Sequence, residues 1–181
     1  MLENQSLWQT ANECHRILAK AKIPHALMGG VAVCMHGYQR NTVDLDLLIR
    51  QADADLARKA LEREHYAWDD RNKEFRSTSG VSIQFLLAGD RAGPGSDVLL
   101  PDPGEKRATT EIEELPVLTL AKLIETKIAC GSADLRRSHK DFADVVELII
   151  HGGLNSSFAR FLHKSVRATY RKLVRASRGE S

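Results

Sequence analysis

Leu27-Met-Gly-Gly30-Val-Ala-Val-Cys-Met-His36-Gly-Tyr-Gln-Arg40-Asn-Thr42-Val-Asp44-Leu-Asp46-Leu-Leu-Ile49 is the segment that sets the architecture. Adjacent glycines close a short apolar run, and fourteen residues beyond Gly30 two aspartates alternate with aliphatic side chains. Alternation is the period of a strand, so Asp44 and Asp46 leave the same face of one strand. Val43, Leu45, Leu47, Leu48 and Ile49 mark that strand as otherwise buried. Two like charges at the end of a buried strand destabilise it unless a cation lies between them. Mg²⁺ suits the position, being a hard ion that takes carboxylate oxygens and brings substrate phosphates with it. The other reading is a partly exposed strand end facing a salt-bridge partner such as Arg40.

Outward from this segment, His25 to Met28 reads as a short strand running into Gly29-Gly30, and residues 31–37 as a brief helix closed by Gly37. The strand of aspartates spans 43–50. Upstream, Leu7, Ala11, Cys14, Ile17, Leu18 and Ala21 recur at helical spacing over 5–22, and Pro24 ends that element. Downstream, 52–65 forms a charged amphipathic helix, with strands expected around 73–78 and 81–87. Ala88 to Ala108 is a long loop containing Gly-Pro-Gly and Pro-Asp-Pro-Gly, and loops of that length in a small domain are usually functional or mobile. A last strand near 109–118 precedes helices over 119–131, 137–151 and 156–176. The expected fold is α/β (α+β), a mixed β-sheet core flanked by helices with a helical C-terminal extension. The expected division is an α/β core over 1–118 and a helical segment over 119–181 packed on it.

Composition narrows the classes. A chain of 181 residues, 43% hydrophobic and 28% charged, has the make-up of one globular domain. No apolar run approaches the ~20 residues that cross a bilayer. Met-Leu-Glu-Asn-Gln-Ser at the start lacks the basic and apolar regions of a signal peptide. Cys14, Cys34 and Cys130 are odd in number and widely spaced, which suits reduced thiols and a cytoplasmic location. The formal charge of +2 does not announce a nucleic-acid binder, but the last 25 residues are basic.

The Gly-Gly turn followed by Arg40, Thr42 and Asp44-Leu-Asp46 resembles the minimal core of the nucleotidyltransferase superfamily. The later stretch Leu118-Thr-Leu-Ala-Lys-Leu-Ile-Glu-Thr-Lys127, then Arg136-Arg-Ser-His-Lys-Asp141-Phe-Ala-Asp144, adds to the match. The chain is similar to bacterial nucleotidyltransferase-like proteins related to the abortive-infection toxins of toxin–antitoxin systems, from about residue 20 to 152. That resemblance implies transfer of a nucleoside monophosphate from an NTP to an acceptor, with Mg²⁺ as cofactor. Asp44 and Asp46 would hold the metal. Gly29 and Gly30 would let the backbone approach the triphosphate, or else form a plain tight turn. Arg40 and Thr42 would reach phosphate or hold the aspartates in position.

Lys127 would extend into the cleft as a phosphate contact, against the plainer reading of a snorkelling surface lysine. Asp141 and Asp144 lie three apart on one helical face. The resemblance implies an active-site aspartate in this region, and Asp141 would either serve there or pair with Lys127 or Lys140. The superfamily usually places a third carboxylate on a neighbouring strand, and here Gly80-Val-Ser-Ile-Gln-Phe-Leu-Leu puts Gln84 at that position. A glutamine can offer a carbonyl oxygen to a metal but neither negative charge nor proton uptake. A catalytically inactive nucleotide- or partner-binding module, or a toxin–antitoxin component, is therefore the alternative function.

The C-terminal helix has an apolar stripe of Phe158, Phe161, Leu162, Val166, Leu173 and Val174, and arginines and lysines fill the remainder. It either forms a solvated face or guides RNA or an acidic partner. The expected partners are NTP, with RNA, a protein acceptor or an antitoxin beyond it, and no membrane. The seven histidines show no ligand spacing.

Overall fold

The short apolar stretch His25-Ala-Leu-Met28 and the leucine-rich stretch from Asp44 to Ile49 flank the Gly-Gly turn, and their pairing builds the centre of the molecule. A computed structural model describes residues 2–179, with side chains from Gln5 onward. Strand β1 (His25–Met28) pairs antiparallel with β2 (Asp44–Ile49), so that Leu27 lies opposite Leu47 and Met28 opposite Asp46. The helix between them, α2 (Gly29–Met35), is short and almost wholly buried. Strand β5 (Ser82–Leu87) runs parallel to β2 and sets Gln84 beside Asp46. With β3 (Ala67–Asp69), β4 (Glu74–Arg76), β6 (Thr109–Ile112) and β7 (Leu115–Leu118) the sheet has seven strands in the order β3-β4-β5-β2-β1-β7-β6. The mixed α/β architecture expected from sequence is the one observed.

Helix α1 (Leu2–Lys20) buries Leu7, Ala11, Cys14, Ile17 and Leu18, the spaced apolar set, and packs on β1, β2, β7 and α3 (Ala54–Arg63). In β2 the side chains Leu45, Leu47, Leu48 and Ile49 are fully buried, while Asp44 at the strand start is exposed. Helices α4 (Leu120–Ala133) and α5 (Leu135–His151) form an antiparallel pair over the face from which Asp46 projects. Their close approach is made at Gly131, where any Cβ would crowd the ring of Phe142 at 3.0 Å. Asp134 joins the two helices and caps α5 by accepting from the Arg136 amide.

Three expectations change. The single strand near 109–118 is a hairpin, β6 and β7, turned at Glu113 and Glu114, both at positive φ (50° and 65°). That is the mirror-image turn whose twist suits a hairpin, and no Gly or Asn signals it. Strand β3 at the sheet edge went unread because three residues carry too little pattern. The helix expected over 156–176 is broken: a 3₁₀ turn at Ser156–Phe161, an extended step at Leu162 and His163, then α6 (Arg167–Ser177). The break has a physical cause. The buried carboxylate of Glu125 accepts from the His163 amide at 2.6 Å, a bond an unbroken helix would forbid. Among the described residues no helix is long and apolar enough to cross a membrane.

The 88–108 loop is folded rather than loose. Arg91 and Leu99 form a β-bridge, and the Ala92 amide donates to the Val98 carbonyl at 2.8 Å. Ala92, Val98 and Leu100 are buried in the core, and Gly93 abuts the backbone of α4 at Ala129 and Cys130.

Candidate active site

Asp46, Gln84 and Gly29 meet at the C-terminal end of β1, under α4 and α5. They line a cleft of about 250 Å³ together with Lys127, Arg137 and Asp141. Leu86 of β5, Leu123 of α4 and Ala92 and Leu100 of the folded loop form an apolar wall, and Arg91, Thr126 and Cys130 also line the cleft.

Gly29 sits at φ +62°, in the left-handed region, with Asp46 Oδ2 packed where a Cβ would lie, so any side chain there would overlap the carboxylate. Gly30 is packed in the same way by Thr42 Oγ1 and Arg40 Nη2. The Gly-Gly signature thus has two separate reasons. One glycine makes room for the aspartate, and the other for the Arg40–Thr42 pair.

Neither Asp44 nor Asp46 has a hydrogen bond or ion pair among the described residues. Arg40, the alternative partner considered for them, instead pairs with Asp144 through Nε at 2.9 Å. Burial pushes the Asp46 carboxyl up, and the like charge of Asp44 adds to this. The fields of Lys127, Arg137 and Lys140 offset the shift only in part.

Lys127 is buried in the middle of α4, with its ammonium 3.0 Å from Asp141 Oδ1 and 2.7 Å from Asp144 Oδ2. Arg137 adds a contact to Asp141 Oδ2 at 3.3 Å, one turn earlier on α5. The i, i+3 spacing of Asp141 and Asp144 turns both toward α4, and Arg40 closes the chain from the segment before β2. Lys127 therefore lines the cleft with its charge already balanced. Of the histidines near the site, His36 is tied by its Nε2 to the Leu118 carbonyl at 2.8 Å.

The structure brings Gly29, Asp46, Gln84, Lys127 and Asp141 together in the cleft, with Gly30, Arg40 and Thr42 one layer behind and Asp44 at the exposed start of β2, outside the lining. Sequence reading missed Arg91 and Arg137 as cleft residues. No local pattern marks Arg91, since only the folding of its loop brings it there. Arg137 stood in the quoted stretch, and its place one helical turn before Asp141 was the available signal.

A donor set of two carboxylates and one amide carbonyl is incomplete for a metal held by protein alone. Among the described residues no group of three or more His, Cys, Asp or Glu could hold one. Mg²⁺ commonly binds through one or two carboxylates and completes its octahedron with water and substrate phosphates. An unpaired, partly buried aspartate with a second beside it fits that mode.

No protein-family profile matches the chain, and neither does any curated protein. Solved structures do. The antibiotic-resistance factor ANT(2'')-Ia, in complex with adenylyl-2''-tobramycin, superposes with a TM-score of 0.61 at 12% identity, over 92% of this chain and 98% of that one. The chain has a nucleotidyltransferase fold. A candidate nucleotidyltransferase from Thermotoga maritima matches with a TM-score of 0.58 at 12% identity, over 77% of this chain and 94% of that one. An antigenic nucleotidyltransferase-like protein from Paracoccidioides brasiliensis matches with a TM-score of 0.56 at 16% identity, over 94% and 88%.

Proposed function

We propose that this nucleotidyltransferase-fold protein transfers a nucleoside monophosphate from an NTP to an acceptor, with Mg²⁺ held by Asp44 and Asp46. The observation that carries the reading is the unneutralised Asp46 carboxylate in a cleft whose other acid, Asp141, is paired. Mg²⁺ bound there would polarise the triphosphate and offset the charge that develops on the departing pyrophosphate. Gln84, beside Asp46, would contribute its carbonyl oxygen. Gly29 lines the cleft at positive φ and leaves room for the Asp46 carboxylate, so its backbone would lie beside the incoming phosphates, while Gly30 makes room for Arg40 and Thr42 behind it. Arg40 and Thr42 hold the Gly30 backbone and Asp144 from behind. Lys127 and Asp141 keep α4 and α5 in register around the cleft, and Lys127 adds positive field at Asp46. In this reading Lys127 and Asp141 position the site rather than take part in bond making.

The presence of Gln84 where the superfamily usually has a carboxylate favours one second reading, a module that binds nucleotide without transferring it. The two separate in one assay. Purified protein with Mg²⁺ and α-³²P-labelled NTPs is offered RNA, protein and small-molecule acceptors, alongside Asp44→Asn and Asp46→Asn. Label transfer that both substitutions abolish supports the transferase. Nucleotide binding with no transfer to any acceptor class supports the silent module, and signal that survives both substitutions contradicts the assigned metal site.

A further inference from the structure

The charges in and behind the cleft sort into two groups. Lys127, Asp141, Asp144 and Arg40 neutralise one another through contacts of 2.7 to 3.0 Å. The second group faces the cleft: Asp46, with Asp44 beside it, and two arginines, Arg91 from the folded loop and Arg137 from α5. Arg137 keeps its side chain 62% exposed while it touches Asp141. Arg91 is also exposed, and its Nη1 donates to the Ser96 carbonyl, which fixes its loop end.

Among the described cleft residues the acids are Asp46 and Asp141. The inference about the acceptor rests on the proposed function, in which Asp46 is committed to the metal. Asp141 is committed to Lys127 and Arg137. Gln84 takes the place of a third acid and cannot accept a proton. A hydroxyl acceptor must lose a proton as it attacks, and the cleft offers it no uncommitted carboxylate. An acceptor that arrives already anionic needs none, and two guanidinium groups suit it because they bind phosphate through paired N–H donors.

We infer that the acceptor is a phosphate monoester, held by Arg91 and Arg137 so that its own phosphate oxygen is the nucleophile. That oxygen attacks the α-phosphorus of the NTP. A new P–O–P bond forms, the bond between the α-phosphorus and the α–β bridging oxygen breaks, and pyrophosphate leaves with that electron pair. No proton has to move in the step. The product is a phosphoanhydride, the monoester capped with a nucleoside monophosphate. The apolar wall of Leu86, Ala92, Leu100 and Leu123 then receives the carbon body of the acceptor or the base of the donor.

The test uses the full chain loaded with Mg²⁺ and α,β-methylene ATP, titrated with glycerol 3-phosphate and, separately, with glycerol. Glycerol 3-phosphate binds and glycerol does not. Arg91→Gln and Arg137→Gln each weaken glycerol 3-phosphate about tenfold while nucleotide affinity stays within about twofold, a difference of ~1.4 kcal/mol against less than ~0.5. With ATP in place of the analogue, ³¹P NMR shows a new phosphoanhydride in step with pyrophosphate. Equal behaviour of glycerol and glycerol 3-phosphate overturns the inference. So does loss of nucleotide affinity in the arginine variants, which would place both arginines on the donor's phosphates. If nucleotide itself fails to bind the wild type, the donor reading falls and takes the acceptor with it. Because Arg91 is exposed, its variant folds even if Arg137→Gln disturbs α5.

Discussion

Asp46 carries a charge that the fold does not neutralise. Burial and Asp44 both raise its pKa above the unfolded value, so its ionised form opposes folding. That penalty is present at neutral pH and is relieved as pH falls through the raised folded pKa. Asp46→Asn should therefore raise the melting temperature of the metal-free protein by about 2 °C at pH 7. The gain should shrink toward acid pH, where the wild-type carboxyl is protonated already. Scanning calorimetry over that range checks both signs, and a lower melting temperature at pH 7 would mean that the carboxylate has a stabilising partner. At this scale the sequence was informative where a residue's role depends on near neighbours. Period-two spacing placed Asp44 and Asp46 on one face, and the resemblance to the nucleotidyltransferase pattern placed Gln84 beside them. For Lys127 the sequence left a phosphate contact, a surface lysine and a pair with Asp141 all open, because a lysine on a helix looks the same in each case, and the pair is the one observed. Arg91 was illegible, since its place in the cleft depends on how about twenty residues of loop pack against α4.

At the scale of elements, α4 and α5 are held by a buried cluster rather than by apolar packing alone. Lys127→Met would leave Asp141 and Asp144 buried with their main cation removed, and breaking such a pair on one side costs about 3–5 kcal/mol. Urea unfolding should show that loss. The triple substitution Lys127→Met, Asp141→Asn, Asp144→Asn should recover most of it, because it removes the stranded charges as well. A single substitution with no effect would place the ion pairs outside the forces that hold the two helices together. The boundaries of β2, β5, α4 and α5 were readable within a few residues from their periods, and that of β1 from the Gly-Gly turn that ends it. The break before α6 was not, because it is imposed by a buried glutamate some forty residues earlier in the chain, where the His163 amide satisfies Glu125.

For the whole molecule, the folding of the 88–108 segment decides the shape of the cleft. Its length and its Gly and Pro content read as a functional or mobile loop, and Ala92, Val98 and Leu100 join the core while its backbone is bonded to itself. Hydrogen exchange should find the amides of Ala92 and Leu100 protected to the level of β5 with no ligand present. Exchange as fast as that of an exposed turn would restore the mobile reading. The cleft then has a fixed wall on the side of this segment. The overall α/β arrangement was legible because alternating strand and helix periods leave few ways to cover a mixed sheet, and the solved structures share that fold at 12 to 16% identity.

Whether Asp44 and Asp46 form a metal-dependent nucleotide site is decided by isothermal titration. α,β-Methylene ATP is titrated into wild-type protein and Asp46→Asn, each with Mg²⁺ and with EDTA. The wild type should bind with Mg²⁺ and lose at least about tenfold in affinity both on chelation and on substitution. Binding of equal strength in EDTA, or in Asp46→Asn, would mean that these aspartates hold no metal for the nucleotide.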